Sequence, residues 1–292
     1  MFKRSLATLL LSVPTLSLAA QQVTIPFNGL NLGANLAIAE GSNLSDNIVV
    51  LTHGTLAHNE MEIIATLQSL LSDEGINSLA VNLSLGLDSR QGMYDCADSH
   101  RHKHSDAVAE LNAWADWLTT QGATQPIFAG HSRGGNQTAW FADTYPEKAK
   151  AQVLIAPATW SEDYAQESYQ KRYRTPLNDE LQRAKASDQS AWLDTPGFIY
   201  CENARVTAAS FVDYYAPNPR FDTPTLLKTA SVPTLVISGS EDNTVPDLPE
   251  KMPNVDNSHV TYYNIEGADH FFRDLYADEV IDQIVEFMDT LE

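Results

Sequence analysis

The chain has 292 residues, 43% of them apolar, and a formal net charge of −20 at pH 7 from 18 Lys and Arg against 38 Asp and Glu. That apolar share supports a packed core and excludes a disordered chain, and the length allows one large α/β domain or two small ones. A chain this acidic is repelled by nucleic acid and by anionic lipid, so neither is expected as a partner.

Residues 1–20 read as a secretory leader. Lys3 and Arg4 give a basic start, residues 6–18 are apolar apart from Thr, Ser and Pro, and small residues lead to a cleavage point near Ala19 or Ala20. The apolar stretch is too short for a membrane span and has no second flank. No cysteine follows the cleavage region, which argues against a lipid anchor. Losing Lys3 and Arg4 takes the formal balance to −22. The mature chain is expected to be periplasmic or secreted, with no stable membrane insertion.

Along the mature chain, residues 23–27 and 35–39 look like a hairpin joined by a Gly-rich turn. The apolar run 48–51 predicts a buried strand that ends in Thr52-His53-Gly54-Thr55. A helix is expected over 61–71, a strand over 78–83, a long loop to His104, and an amphipathic helix over 107–118. Further buried strands are expected at 152–155, 234–239 and 260–265, with a terminal helix over 280–291. Strands alternating with helices predict a mostly parallel sheet covered on both faces.

Two segments depart from the alternation. Residues 158–228 read as an irregular, mainly helical cap inserted into the domain 21–292, and they hold 11 of the 26 aromatic residues. Most of those rings are expected to form the cap's own core, and a few to line a cleft over the C-terminal edge of the sheet. The cap carries eight Lys and Arg against ten Asp and Glu, so the acidity lies mostly elsewhere. In the loop before the 107–118 helix, His100, His102 and His104 alternate near Asp95, Cys96 and Asp98. The preferred reading is a polar loop. The alternative is a zinc or copper site, since a period of two puts three rings on one side of an extended segment. Cys96 and Cys201 are the only cysteines, and behind a leader they predict one disulfide, with free thiols or a metal pair as alternatives. A bridge would remove Cys96 from any metal site and would tie this loop to the cap.

The chemistry is concentrated in Gly130-His131-Ser132-Arg133-Gly134-Gly135, between an apolar run and a helical stretch. This is the strand, sharp turn and helix of a nucleophile elbow with Ser132 at its apex. A serine hydroxyl needs a base, and the base needs an orienting carboxylate. Asp242, in Gly239-Ser240-Glu241-Asp242, and His270, in Gly267-Ala268-Asp269-His270, each follow a predicted strand in the expected order, with Glu241 or Asp247 as alternative acids. The backbone amides of Arg133 and Thr55 are the expected oxyanion donors, and His53 is expected to brace the Thr55 loop.

These motifs, in this order across nearly the whole mature chain, resemble the α/β-hydrolase superfamily. Within it, Gly130–Gly134 and the Gly239 to Pro246 stretch look most like the dienelactone hydrolase and carboxylesterase branch. The chain departs from the lipase branch in having no His-Gly-Gly-Gly oxyanion motif. The resemblance implies an eight-stranded sheet, a Ser-His-Asp triad, an acyl-enzyme intermediate and no cofactor. Carboxylic esters are the expected substrates. A peptidase or acyltransferase on the same fold is an alternative, as is a metal-dependent hydrolase using residues 100–104.

Overall fold

The computed structural model describes residues 20–291, so all of the expected leader except Ala20 lies outside the described residues. The chain opens with β1 (Gln21–Phe27) and β2 (Leu30–Ala37), an antiparallel hairpin. Its turn is the two-residue Asn28-Gly29, with φ of 45° and 81°. Asn-Gly suits this turn because both central residues need positive φ. The second strand therefore starts five residues earlier than the sequence reading placed it, and Leu32, Ala34 and Leu36 alternate inward.

Next come β3 (Ile48–Thr52), α1 (Glu62–Asp73), β4 (Asn77–Asn82), α2 (Asp106–Thr120), β5 (Ile127–His131), α3 (Arg133–Thr144) and β6 (Ala151–Ile155). The insertion then runs through α4 (Glu162–Tyr173), α5 (Leu177–Ala186), β7 (Trp192–Asp194), β8 (Gly197–Phe198), β9 (Cys201–Glu202), β10 (Arg205–Thr207), α6 (Ala208–Tyr215) and α7 (Thr223–Leu227). The chain closes with β11 (Thr234–Gly239), α8 (Leu248–Lys251), β12 (Val260–Ile265) and α9 (Leu275–Asp289).

Eight strands form one sheet in the order β1-β2-β4-β3-β5-β6-β11-β12. From β4 to β12 all pairs are parallel, and only the β1–β2 and β2–β4 pairs are antiparallel. The sequence reading of an α/β-hydrolase fold is correct. The central strands are buried on both faces, so their residues alternate between two apolar layers. Val49 and Leu51 pack with Ile64, Leu67, Ile281 and Ile284 of α1 and α9. Val50 and Phe128 pack on the opposite face with Leu111, Trp114 and Phe141 of α2 and α3.

The insertion shares a third core with the loops beneath it, through Leu56, Leu83, Leu85 and Tyr94. Tyr169, Tyr173, Phe198, Phe211 and Tyr214 pack there with Leu177, Leu181 and Val206. Its four short strands, two or three residues each, pair as β7–β10 and β8–β9. They are too short to show a period, so the sequence read this region as helical. The last helix, α7, leaves this core and packs with Leu226 and Leu227 into the sheet's own layer.

Candidate active site

Five loops at the C-terminal ends of adjacent parallel strands converge where ligands bind in such sheets. Ser132 follows β5 at φ 58° and ψ −123°, a strained conformation for a non-glycine residue. The strain is held from both sides. The Ser132 amide donates to Ile155 O at 2.9 Å, and its carbonyl accepts from the amides of Gly135, Asn136 and Ala158. Gly134 is required because a Cβ there would run into the backbone of Thr52 and His53. Gly54 is less tightly enclosed, and a Cβ on it would lie 3.3 Å from the Ser132 Cβ. The Thr55 loop is thus pressed against the nucleophile elbow.

Asp242 and His270 are both buried and meet directly, His270 Nδ1 donating to Asp242 Oδ2 at 2.7 Å. The other carboxylate oxygen accepts from the amides of Thr244 at 2.7 Å and Val245 at 2.9 Å. Burial alone would raise the Asp242 carboxyl, but the hydrogen bond and charge of His270, with those two amides, hold it below the usual carboxylate range. The acid and histidine loops are stitched together by Glu241 N to Ala268 O at 2.9 Å and Gly267 N to Ser240 Oγ at 2.8 Å. His131 Nε2 donates to His270 O at 2.8 Å, fixing the histidine's backbone to the elbow strand. Ser132, His270, Gly54 and Thr55 line one open pocket. Among the described residues, the amides of Arg133 and Thr55 have no protein acceptor. Of the alternative acids, Asp247 accepts from Thr159 Oγ1 and pairs with Lys251, while His270 Nδ1 bonds Asp242.

His53 lies under the Thr55 loop. Its Nδ1 donates to Gly54 O at 2.9 Å, so its Nε2 is the acceptor for Leu83 N at 3.1 Å and Arg90 Nη2 at 3.0 Å. Burial and then the Arg90 charge push this imidazole down to about 3, so it stays neutral. Arg90, passed over in the sequence, is buried and also donates to the carbonyls of Leu83, Gly92 and Ala57 and to Asn82 Oδ1. It ties the β4 exit to the Thr55 loop, and nothing in its local sequence marks that role.

The 100–104 segment corrects the expectation of a polar loop, because His100, His102 and His104 are all buried, at 0%, 1% and 1% exposure. The segment is a strap between sheet and cap, His100 bridging to Val206 with its amide donating to Arg205 O at 2.7 Å. His100 Nδ1 and His102 Nε2 are 3.2 Å apart, and His102 Nδ1 is 2.9 Å from the Tyr214 hydroxyl. His104 turns instead to Asn136 and Arg133. Among the described residues no group of three or more His, Cys, Asp and Glu is arranged to hold a metal ion. Cys96 and Cys201 form a disulfide, their Cα atoms 5.2 Å apart, which joins the strap's approach to the cap at β9.

Tyr200, beside that cysteine, lines all three cavities of the cleft. It sits with Ile199 in the two-residue turn between β8 and β9, at φ 36° for Ile199 and 79° for Tyr200. A β-branched residue at positive φ is strained. The turn is held by Tyr215 Oη, which accepts from Ile199 N, and Tyr173 Oη, which accepts from Tyr200 N, both at 2.9 Å. No signal in the sequence singled out this turn.

Solved structures with the same fold include Est1E from Butyrivibrio proteoclasticus, 17% identical, TM-score 0.65, covering 91% of this chain and 98% of that one. The same enzyme with ferulic acid bound gives a TM-score of 0.67 at 17% identity, covering 91% and 99%. A monoacylglycerol lipase from Paleococcus ferrophilus is 18% identical, TM-score 0.62, covering 89% and 99%. No curated protein sequence gives a significant match. Residues 49–283 match the alpha/beta hydrolase family, and the chain belongs to it.

Proposed function

We propose that the protein is a serine hydrolase of carboxylic esters, exported from the cytoplasm. The reading is carried by the buried Asp242–His270 pair at 2.7 Å, which opens into the same pocket as Ser132 at a strained elbow. Asp242 accepts a hydrogen bond from Nδ1–H of His270 and so fixes the tautomer, leaving Nε2 as the base toward the cleft. His270 removes the Ser132 proton as Oγ attacks the ester carbonyl. The carbonyl oxygen becomes an oxyanion between the amides of Arg133 and Thr55, both at hand because Gly54 lets their loops touch. Collapse expels the alcohol, which takes the proton from His270. Water then repeats the sequence on the acyl-enzyme, releasing the acid and restoring Ser132. Esterases and a lipase among proteins of the same fold support this reading, as does the glycine spacing of the elbow.

A fluorophosphonate probe is expected to label Ser132, and Ser132→Ala to abolish both labelling and p-nitrophenyl ester turnover. Turnover unchanged in that variant would sink the assignment. Export is supported by the leader pattern in residues 1–20. N-terminal sequencing of the protein from the periplasm or medium should find a chain beginning close to Ala20 or Gln21.

A further inference from the structure

The cleft and the rest of the molecule carry opposite charge. Beyond Ser132, the cleft continues under the insertion into an aromatic cavity of about 210 Å³, with walls that include Trp160, Tyr169, Tyr214 and Phe221. Two guanidiniums also line it, Arg133 from the sheet side and Arg172 from the cap, and no Asp or Glu does. The pocket holding Ser132 and His270 has no carboxylate in its wall either. In the third cavity of the cleft the one carboxylate is Asp247, which shares Lys251 with Asp222, at 3.1 Å and 2.7 Å. A chain of net charge −20 thus keeps acidic residues out of the aromatic cavity and the Ser132 pocket.

Neither arginine is used by the fold in the way surface arginines are. Among the described residues, Arg133 and Arg172 form no ion pair. Arg133 is nonetheless held in place. Its Nε donates to Thr55 Oγ1 at 2.9 Å, and its Nη1 lies 3.2 Å from His104 Nδ1. Asn136 Nδ2 donates to Arg220 O and to Thr223 Oγ1, so its Oδ1 must accept from His104 Nε2 at 2.9 Å. His104 Nδ1 is then unprotonated and accepts from Arg133. The imidazole stays neutral because burial, and after it the Arg133 charge, pushes its pKa well down. Two neutral acceptors therefore orient the guanidinium without cancelling its charge, and Nη2 has no protein partner among the described residues. Over its face lies the Tyr214 ring at 5.4 Å, while Arg172 lies against Tyr200 at 4.6 Å. An uncompensated, pre-oriented guanidinium is suited to a planar anion, which it binds through two parallel N–H donors.

We propose that the aromatic cavity is an anion-recognising subsite. It takes a flat, aromatic part of the ester that ends in a carboxylate, bound by Arg133 with Arg172 at the mouth. The size agrees, since an apolar cavity of about 150 Å³ already holds a benzene, which leaves room here for one ring and its carboxylate. The proposal rests on the ester-hydrolase reading for its substrate, but the subsite binds whether or not Ser132 reacts.

The test compares methyl 3-(4-carboxyphenyl)propanoate with its 4-carbamoyl analogue, which is neutral, similar in shape and electronically insulated from the ester. The carboxylate ester is expected to have the higher kcat/KM by about tenfold or more at low ionic strength, the size of a charge-assisted contact. Arg133→Gln should bring the ratio near one, chiefly through KM, Arg172→Gln should lower it less, and Arg133→Lys should restore part of it. Molar salt should shrink the ratio in the wild type. A wild-type ratio of one, or a ratio unmoved in Arg133→Gln and Arg172→Gln alike, overturns the subsite. Calorimetric binding of benzoate against benzamide gives a readout without catalysis. Ester turnover and Ser132 labelling without anion preference would leave the hydrolase reading standing and remove the subsite. Benzoate binding lost in Arg133→Gln, in a protein that hydrolyses nothing, would do the reverse.

Discussion

Two sets of buried histidines stand within one molecule, and they are built differently. His270 lies against the Asp242 carboxylate and opens to the cleft. His53, His100, His102, His104 and His131 are buried at 2% exposure or less and take no carboxylate partner. Burial, foremost, pushes His53 and His131 down to about 3, His100 to about 4, and His102 and His104 well below the ordinary value. The difference teaches that burial makes a histidine a hydrogen-bonding strut, and that a carboxylate on the far nitrogen makes it a base.

The sharpest way to break this comparison is to remove the carboxylate. Asp242→Asn is expected to lower kcat on p-nitrophenyl esters by about 10⁴-fold, the cost of holding the wrong tautomer. His102→Gln, in the neutral set, should cost less than about tenfold. Similar losses in the two variants would erase the distinction.

Acid should act on the neutral set next. Each of these five imidazoles has a folded pKa below its unfolded value of 6.5, so the unfolded chain binds protons that the folded chain refuses. Their stabilisation is complete above pH 6.5 and is lost as pH falls from there through about 4 to 3. Glu110 works the other way over part of that range. Burial raises its carboxyl to about 7, against the Ser84 hydrogen bonds that lower it, so the folded state gains a proton as pH falls below 7. While Glu110 opposes them, five groups against one leave a slope of at most about 5.6 kcal/mol per pH unit, at about 1.4 kcal/mol per proton. Thermal melts are expected to drop steeply from pH 6.5 to 5. A flat profile there would show that these histidines are not held neutral.

The remaining two tests concern the cap. The Cys96–Cys201 bridge has a sequence separation of 105 residues, and the Cys96→Ser, Cys201→Ser double variant should lose about 2–4 kcal/mol in denaturant unfolding. A smaller effect is expected from Tyr215→Phe, about 1–2 kcal/mol, because the Ile199 amide loses its acceptor in a strained turn. If the cap only covers its own aromatic core, kcat/KM will not move with that change. If the turn positions Tyr200 for substrate, kcat/KM falls further than stability does.

The parts that could be read from the sequence were those where chemistry limits residue type or where both faces of a strand are buried. Residues 48–51 and 234–239 were recognisable as apolar runs, and Ser132, Asp242 and His270 stood out as candidates by their order after strands. The second strand of the first hairpin was placed too late because residues 28–34, with Gly29 and Gly33, were read as one Gly-rich turn, whereas Asn28-Gly29 alone makes it. The strap was misread for a different reason: polar residues at every second position look solvated, and only a cap distant in sequence buries them. Arg90 and the Ile199-Tyr200 turn carry no local pattern, since their roles come from carbonyls and hydroxyls brought together by the fold.

The insertion joins the rest of the chain at β6 and β11, and it is tied again by the Cys201 sulfur and by His100 alongside Val206. A roof tied at its ends and again in its middle has no single hinge. Substrate then enters past the exposed side chains of Tyr164, Tyr200 and Met93 at the mouth, whose rotamers exchange in picoseconds to nanoseconds, where a hinged lid would take microseconds or longer. The door to Ser132 is made of side chains.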